Sequence, residues 1–114
     1  MTKLTLDDLK NNKKVRIYLE KADAHLAGIG YTEHGLRHAN IVGKRSQDIL
    51  LKLNYKDGDA RLAAIAGFLH DIGNMVGRVN HGQAGALLIR AILEDIGMDI
   101  EDIALVMGAI ANHE

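Results

Sequence analysis

The sequence predicts an all-α protein, a compact bundle of about five helices, and three observations carry that reading. Apolar residues recur at helical spacing through most of the chain, nothing reads convincingly as a strand, and proline is absent. The hydrophobic fraction is 47% but the aromatic fraction only 4%. Leu, Ile, Val and Ala must therefore fill the core, which suits packed helices better than a sheet. A chain of 114 residues has room for one such core, so residues 1–114 are read as a single domain.

Thr5 and Asp8 form an N-cap pair, after which Val15, Tyr18, Leu19, Ala22 and Leu26 mark the inward side of a first helix that Gly28 and Gly30 end. A second helix is expected from about Glu33 to Asn54. Ile41, Val42, Ile49, Leu50 and Leu53 lie on one side of it, Lys44, Gln47 and Lys52 on others. The turn Lys56-Asp57-Gly58 should stop it. Asp59 is expected to cap a third helix through LAAIAGFLHDIG, which is apolar nearly all round and is therefore the central, buried one. A glycine-containing connection from Gly73 to Asn80 leads to a fourth helix, with Ala84, Leu87, Leu88, Ala91 and Ile92 as its inward stripe and Gly97 as its stop. Asp99 then caps a fifth, whose Ile100, Ile103, Met107 and Ile110 face the core. There is no internal repeat, low-complexity segment or linker.

Composition narrows the chemistry. A formal net charge of -1, with both signs interspersed, gives no nucleic-acid footprint and no electrostatic membrane anchor. Cysteine is absent, so disulfides and thiolate zinc sites are excluded, and any metal must be held by His, Asp, Glu or water. The N-terminal MTKLTLDDLKNNKK has no apolar signal-peptide core, and no later run approaches a bilayer span. A cytoplasmic protein acting on a small molecule is the expectation, with a homo-oligomer left open.

The histidines concentrate the chemistry. His70 and Asp71 follow directly on Ala66-Gly67-Phe68-Leu69, the least polar stretch, where an unpaired carboxylate would be costly or would take up a proton. A divalent cation compensates such a carboxylate and takes a lone pair from neutral imidazole at the same time. Neighbouring helices must complete its sphere, and candidates exist. His34 and His38 are four apart and share a helix face, His81 opens the fourth helix, and His113 ends the fifth. His25, beside Asp23 and Ala24, reads as a surface residue. The glycines at 73, 77, 82 and 85 match neither a P-loop nor a dinucleotide fingerprint and are better explained by turns and tight packing.

From about Tyr31 onward the pattern resembles the HD superfamily of metal-dependent phosphohydrolases. Phe68-Leu69-His70-Asp71-Ile72-Gly73 is similar to the helix that carries the family's His-Asp dyad, and His38-Ala39-Asn40-Ile41-Val42 to its first-ligand motif. His34-Gly35-Leu36-Arg37 offers a second frame for that motif, which keeps His34 as an additional ligand. His81-Gly82-Gln83-Ala84-Gly85-Ala86 and Ile110-Ala111-Asn112-His113-Glu114 resemble the segments that supply further histidines in two-metal members. The resemblance implies two divalent ions, with Fe, Mn, Co, Ni, Zn and Mg all open. Asp71 would bridge them, His38 and His70 would bind one, His81 and His113 the other, and a metal-activated water would attack the phosphorus.

The implied function is hydrolysis of a phosphomonoester or phosphodiester, the substrate being a small phosphorylated molecule such as a nucleotide. Two departures from the family pattern qualify it. The family closes its motif with an Asp on a further helix, and this sequence ends at Glu114; Asp95, Asp99 and Asp102 precede His113 and do not match. The expectation is a domain truncated at its C-terminus, or a site completed by water or a partner chain. Where many members carry a Lys that meets the substrate phosphate, this chain has Asn74, so Arg78, Arg37 or Asn74 itself takes that role. The alternative function is a regulatory or ligand-binding module without turnover, or an inactive fragment of a larger hydrolase.

Overall fold

Local chemistry at the chain's turns sets where each helix begins and ends, and the computed structural model describes residues 5–30 and 35–113. Among these are six α-helices: α1 (Leu6–Lys10), α2 (Lys13–Gly28), α3 (Leu36–Lys52), α4 (Asp57–Leu69), α5 (His81–Ile96) and α6 (Ile100–Ala111). A 3₁₀ turn, Ile72–Met75, sits between α4 and α5. Thr5 caps α1 through a reciprocal box, its amide donating to Asp8 Oδ2 at 2.9 Å while its hydroxyl accepts from the Asp8 amide.

The expected first helix is split in two. Asn12 is extended and its Oδ1 accepts from the Val15 amide at 3.0 Å, so it starts a new helix instead of continuing the old one. Asn competes for backbone hydrogen bonds and favours caps over helix interiors, which is the reason for the break. Helix α3 also ends earlier than the Lys56 turn. Asn54 takes a left-handed φ of 65°, the Tyr55 amide donates to Leu50 O and the Asn54 amide to Leu51 O, a Schellman closure. Its expected start at Glu33, like His34, lies outside the described residues. Lys56, not Asp59, is the N-cap of α4, which places Asp57 and Asp59 in the first turn where they complement the helix dipole. Gly97 closes α5 as expected, with φ 92° and the amides of Gly97 and Met98 returning to Glu94 O and Leu93 O.

The core is aliphatic around one aromatic ring. Phe68, Leu9, Leu19, Leu26, Ile65, Leu69, Ile72, Ile89, Leu93, Ile103 and Ile110 are fully buried. The inward stripe of α5 is rotated from the expected one: Gly82, Gly85, Ala86, Ile89, Ile92 and Leu93 are buried, and Leu87 is 70% exposed. Two helical stripes share Ile92, and the packing of α5 against α6 and the 3₁₀ turn selects the one that includes its glycines. In α6, Val106 is buried and Ile100 is 61% exposed, so the stripe runs Ile103, Val106, Ile110.

Glycines set the two closest approaches. Gly43 on α3 meets α4, where a Cβ would lie 2.9 Å from Ala64 O, and Gly67 on α4 meets Ser46 and Val42. A Cβ on Gly73 would lie 1.8 Å from His81 O, so the 3₁₀ turn rests directly on the backbone of α5. The Cα radius of gyration, 13.2 Å, equals the roughly 13 Å expected of a folded chain of this length.

Candidate metal centre

Helix α4 does not continue through the dyad. It ends at Leu69, His70 is its C-cap, and Asp71 adopts φ -100°, ψ 4°, the bridge region. This sharp exit, followed by the 3₁₀ turn, lets adjacent side chains face the same space. Asp71 is 6% exposed and His81 4%, and a carboxylate so buried needs compensation.

Four imidazoles supply it, sorted by oxygen. Asp71 Oδ2 lies 3.1 Å from His70 Nε2 and 3.5 Å from His38 Nε2. Asp71 Oδ1 lies 3.5 Å from His81 Nε2 and 3.9 Å from His113 Nε2. His38 comes from the first turn of α3, His70 from the end of α4, His81 from the first residue of α5, and His113 from just beyond α6. The ligand atoms of His38, His70 and Asp71 lie within 4.8 Å of one another, as do those of Asp71, His81 and His113.

Local hydrogen bonds decide which ring nitrogens point inward. His70 Nδ1 donates to Gly67 O at 2.6 Å, His81 Nδ1 to Arg78 O at 3.2 Å, and His113 Nδ1 to Ile110 O at 2.5 Å. A carbonyl only accepts, so each Nδ1 carries a hydrogen, which leaves Nε2, when the ring is neutral, as the lone pair available to a cation beside Asp71. His81 Nε2 and His113 Nε2 then face each other at 2.9 Å. Two lone pairs at that separation repel unless a proton or a cation lies between them. Donors that share one ion at about 2.1 Å stand roughly 3.0 to 3.5 Å apart, a range that holds three of the four Asp71–imidazole spacings, that to His113 being 3.9 Å. The donor set therefore fits divalent metal, with imidazole nitrogens and carboxylate oxygens able to touch the ion and backbone carbonyls fixing three of the rings behind them.

Comparison with known sequences decides the family. A model described as HD domain matches residues 31–113. The chain belongs to the HD-domain family. An uncharacterized protein of Methanocaldococcus jannaschii, MJ1020, is 34% identical over 110 residues, an alignment covering 82% of this chain and 42% of that protein. The chain thus spans less than half the length of that relative. No solved structure matches it. HD domains are generally hydrolases, of a superfamily of metal-dependent phosphohydrolases, and bind divalent metals, in keeping with the two donor groups.

In this HD domain the position after the dyad turn, Asn74, is fully buried. Its Nδ2 donates to Asp71 O at 2.9 Å and to Asp71 Oδ1 at 3.4 Å, and its Oδ1 accepts from Arg78 Nη1 at 3.3 Å. Asn74 is therefore beneath the carboxylate, not at the surface where a substrate would meet it. Arg78 is half-buried beside the cluster, whereas Arg37 and His25 are exposed. Spacing alone did not reveal the three carbonyls that anchor the rings or the burial of Asn74. The signal that was available is that His70 and His113 stand where helices leave carbonyls unfilled.

Proton affinity at the site follows the same geometry. Burial pulls the His70 pKa down, but the hydrogen bond and charge of Asp71, with the Gly67 carbonyl on Nδ1, outweigh it and leave it above 6.5. Among the described residues, no helix is long and apolar enough to cross a membrane.

Proposed function

We propose that this HD domain hydrolyses a phosphate ester, a phosphomonoester or phosphodiester and in particular that of a nucleotide, with two divalent ions as cofactors. The observation that carries the reading is the division of the Asp71 carboxylate, one oxygen facing His38 and His70 and the other His81 and His113. A structural ion pair needs one imidazole partner, and four inward-facing Nε2 atoms exceed that need.

In this reading Asp71 would help to hold both ions, with His38 and His70 as the further ligands of one and His81 and His113 of the other. When bound, the ions activate water at neutral pH and offset the charge that builds on the phosphate oxygens. The residues supply the rest. The carbonyls of Gly67, Arg78 and Ile110 keep the Nε2 lone pairs aimed inward, so the ligands need no reorganisation when an ion arrives. Arg78 is the cation tied to the cluster through Asn74, and its planar fork suits a phosphate. It takes the part of the lysine that the family pattern carries after the dyad.

The test is metal content with turnover. The purified chain, reconstituted with Mn²⁺ and analysed for metal, is expected to hold near two ions per chain and to hydrolyse members of a panel of nucleotide mono- and diesters. Asp71→Ala should lose metal and hydrolysis together while circular dichroism stays helical. Metal uptake without turnover on any ester would replace this reading with that of a regulatory module, and metal retained in Asp71→Ala would remove the bridging role.

A further inference from the structure

The two oxygens of Asp71 are not held alike. Around Oδ1 a circuit closes partly through backbone: Asn74 Nδ2, which bonds Asp71 O at 2.9 Å, also donates to Oδ1 at 3.4 Å, Arg78 Nη1 donates to Asn74 Oδ1, and His81 Nδ1 donates to the backbone carbonyl of Arg78. His81 Nε2 then faces Oδ1 again at 3.5 Å. Every member sits within the short stretch from the dyad to the first residue of α5, and Asn74 and His81 are buried. The neighbours of Oδ2 are held differently. His70 is fixed by the carbonyl of its own helix, and His38 arrives from α3 with its side chain 31% exposed.

We propose that Asn74 is a positioning residue for one half of the centre: it turns Asp71 Oδ1 toward His81 and His113 and, through Arg78, holds the His81 ring, so that this subsite depends on Asn74 and Arg78 while the His38–His70 subsite does not. The inference rests on the two-ion reading above. An amide donor on a ligating carboxylate fixes its orientation, and loss of such a supporting group costs about 10- to 100-fold in metal affinity. Asn74 cannot meet the substrate, because it is fully buried. Arg78 acts twice, its backbone carbonyl orienting His81 and its guanidinium orienting Asn74.

Calorimetric titration of the metal-free chain with Mn²⁺ tests this, comparing wild type, Asn74→Ala, Arg78→Ala and the double variant. Wild type is expected to show two binding events. Asn74→Ala should weaken one of them about 10- to 100-fold and leave the other within about threefold. Arg78→Ala should weaken the same event by a smaller factor, and the double variant should be no weaker than Asn74→Ala, since both act through one circuit. His113→Ala identifies the affected event, because it should abolish that one.

If Asn74→Ala fails to fold, Arg78→Ala decides alone, with selective weakening supporting the inference and unchanged affinities overturning it. Equal weakening of both events would show a merely structural role and overturn it while the metal reading stands. A wild type that takes up no ion removes the metal reading and this inference together.

Discussion

Asp71 and its four imidazoles show how one buried charge organises the site. His70 has a pKa above 6.5 in the metal-free fold, so its protonated pairing with Asp71 adds stability that is fully present below about 6.5, the unfolded value, and is lost as pH rises through the folded pKa. The stability gap between wild type and His70→Gln, measured by denaturant titration in chelator, should therefore narrow as pH is raised from 6 to 9. A gap that widens over that range would contradict the pairing. Metal binding has the opposite sense, because an ion requires neutral His70 and should be released as pH falls through the same value. Among residues, the dyad and the histidines were legible in the sequence because an ionisable pair in an apolar stretch demands a partner. The burial of Asn74 was not, since an Asn beside a glycine reads equally well as an exposed turn.

At the scale of elements, caps and glycines do the placing. Asn12 starts α2 through its bond to the Val15 amide, so Asn12→Ala should cost about 1 kcal/mol of stability. Metal affinity should be unchanged, since α2 contributes no ligand. Gly73 acts in another way. Any side chain there would strike the His81 carbonyl, so Gly73→Ala should destabilise the fold by about 3 kcal/mol. It should also weaken metal binding, because it moves the backbone that carries His81. Chemical denaturation with Mn²⁺ titration separates the two variants, and a Gly73→Ala protein that binds metal normally would show that the contact is dispensable. Periodicity found the helices but misplaced the stripes of α5 and α6, grouped Ile49 and Leu53 on the apolar side of α3 although they are 57% and 62% exposed while Ala39 and Gly43 are its buried residues, and missed the break at Asn12, because overlapping helical faces compete and Asn is compatible with both helix and cap.

For the whole molecule, the candidate ligands come from α3, the end of α4, the start of α5 and just beyond α6, so bound ions would tie together segments far apart in the chain. Binding to the folded state alone stabilises it by about 2.7 kcal/mol at an ion concentration 100 times Kd. For a domain of this size that corresponds to a rise in Tm on the order of 10 °C. Differential scanning calorimetry with and without Mn²⁺ should show the rise, chelator should reverse it, and Asp71→Ala should abolish it. An equal shift in Asp71→Ala would mean that the ion acts elsewhere.

The sequence by itself determined the helical class, pointed to a single core and offered His34, His38, His70, Asp71, His81 and His113 as candidate ligands, because these follow from residue type, spacing and the cost of burying charge. Only the tertiary structure decided which carboxylate oxygen each imidazole faces, which face of α5 is buried, and that Asn74 lies beneath Asp71. Those are properties of distances between segments far apart in the chain, set by the close approach of Gly73 to α5 and by the exit of Asp71 from α4. No local pattern encodes them.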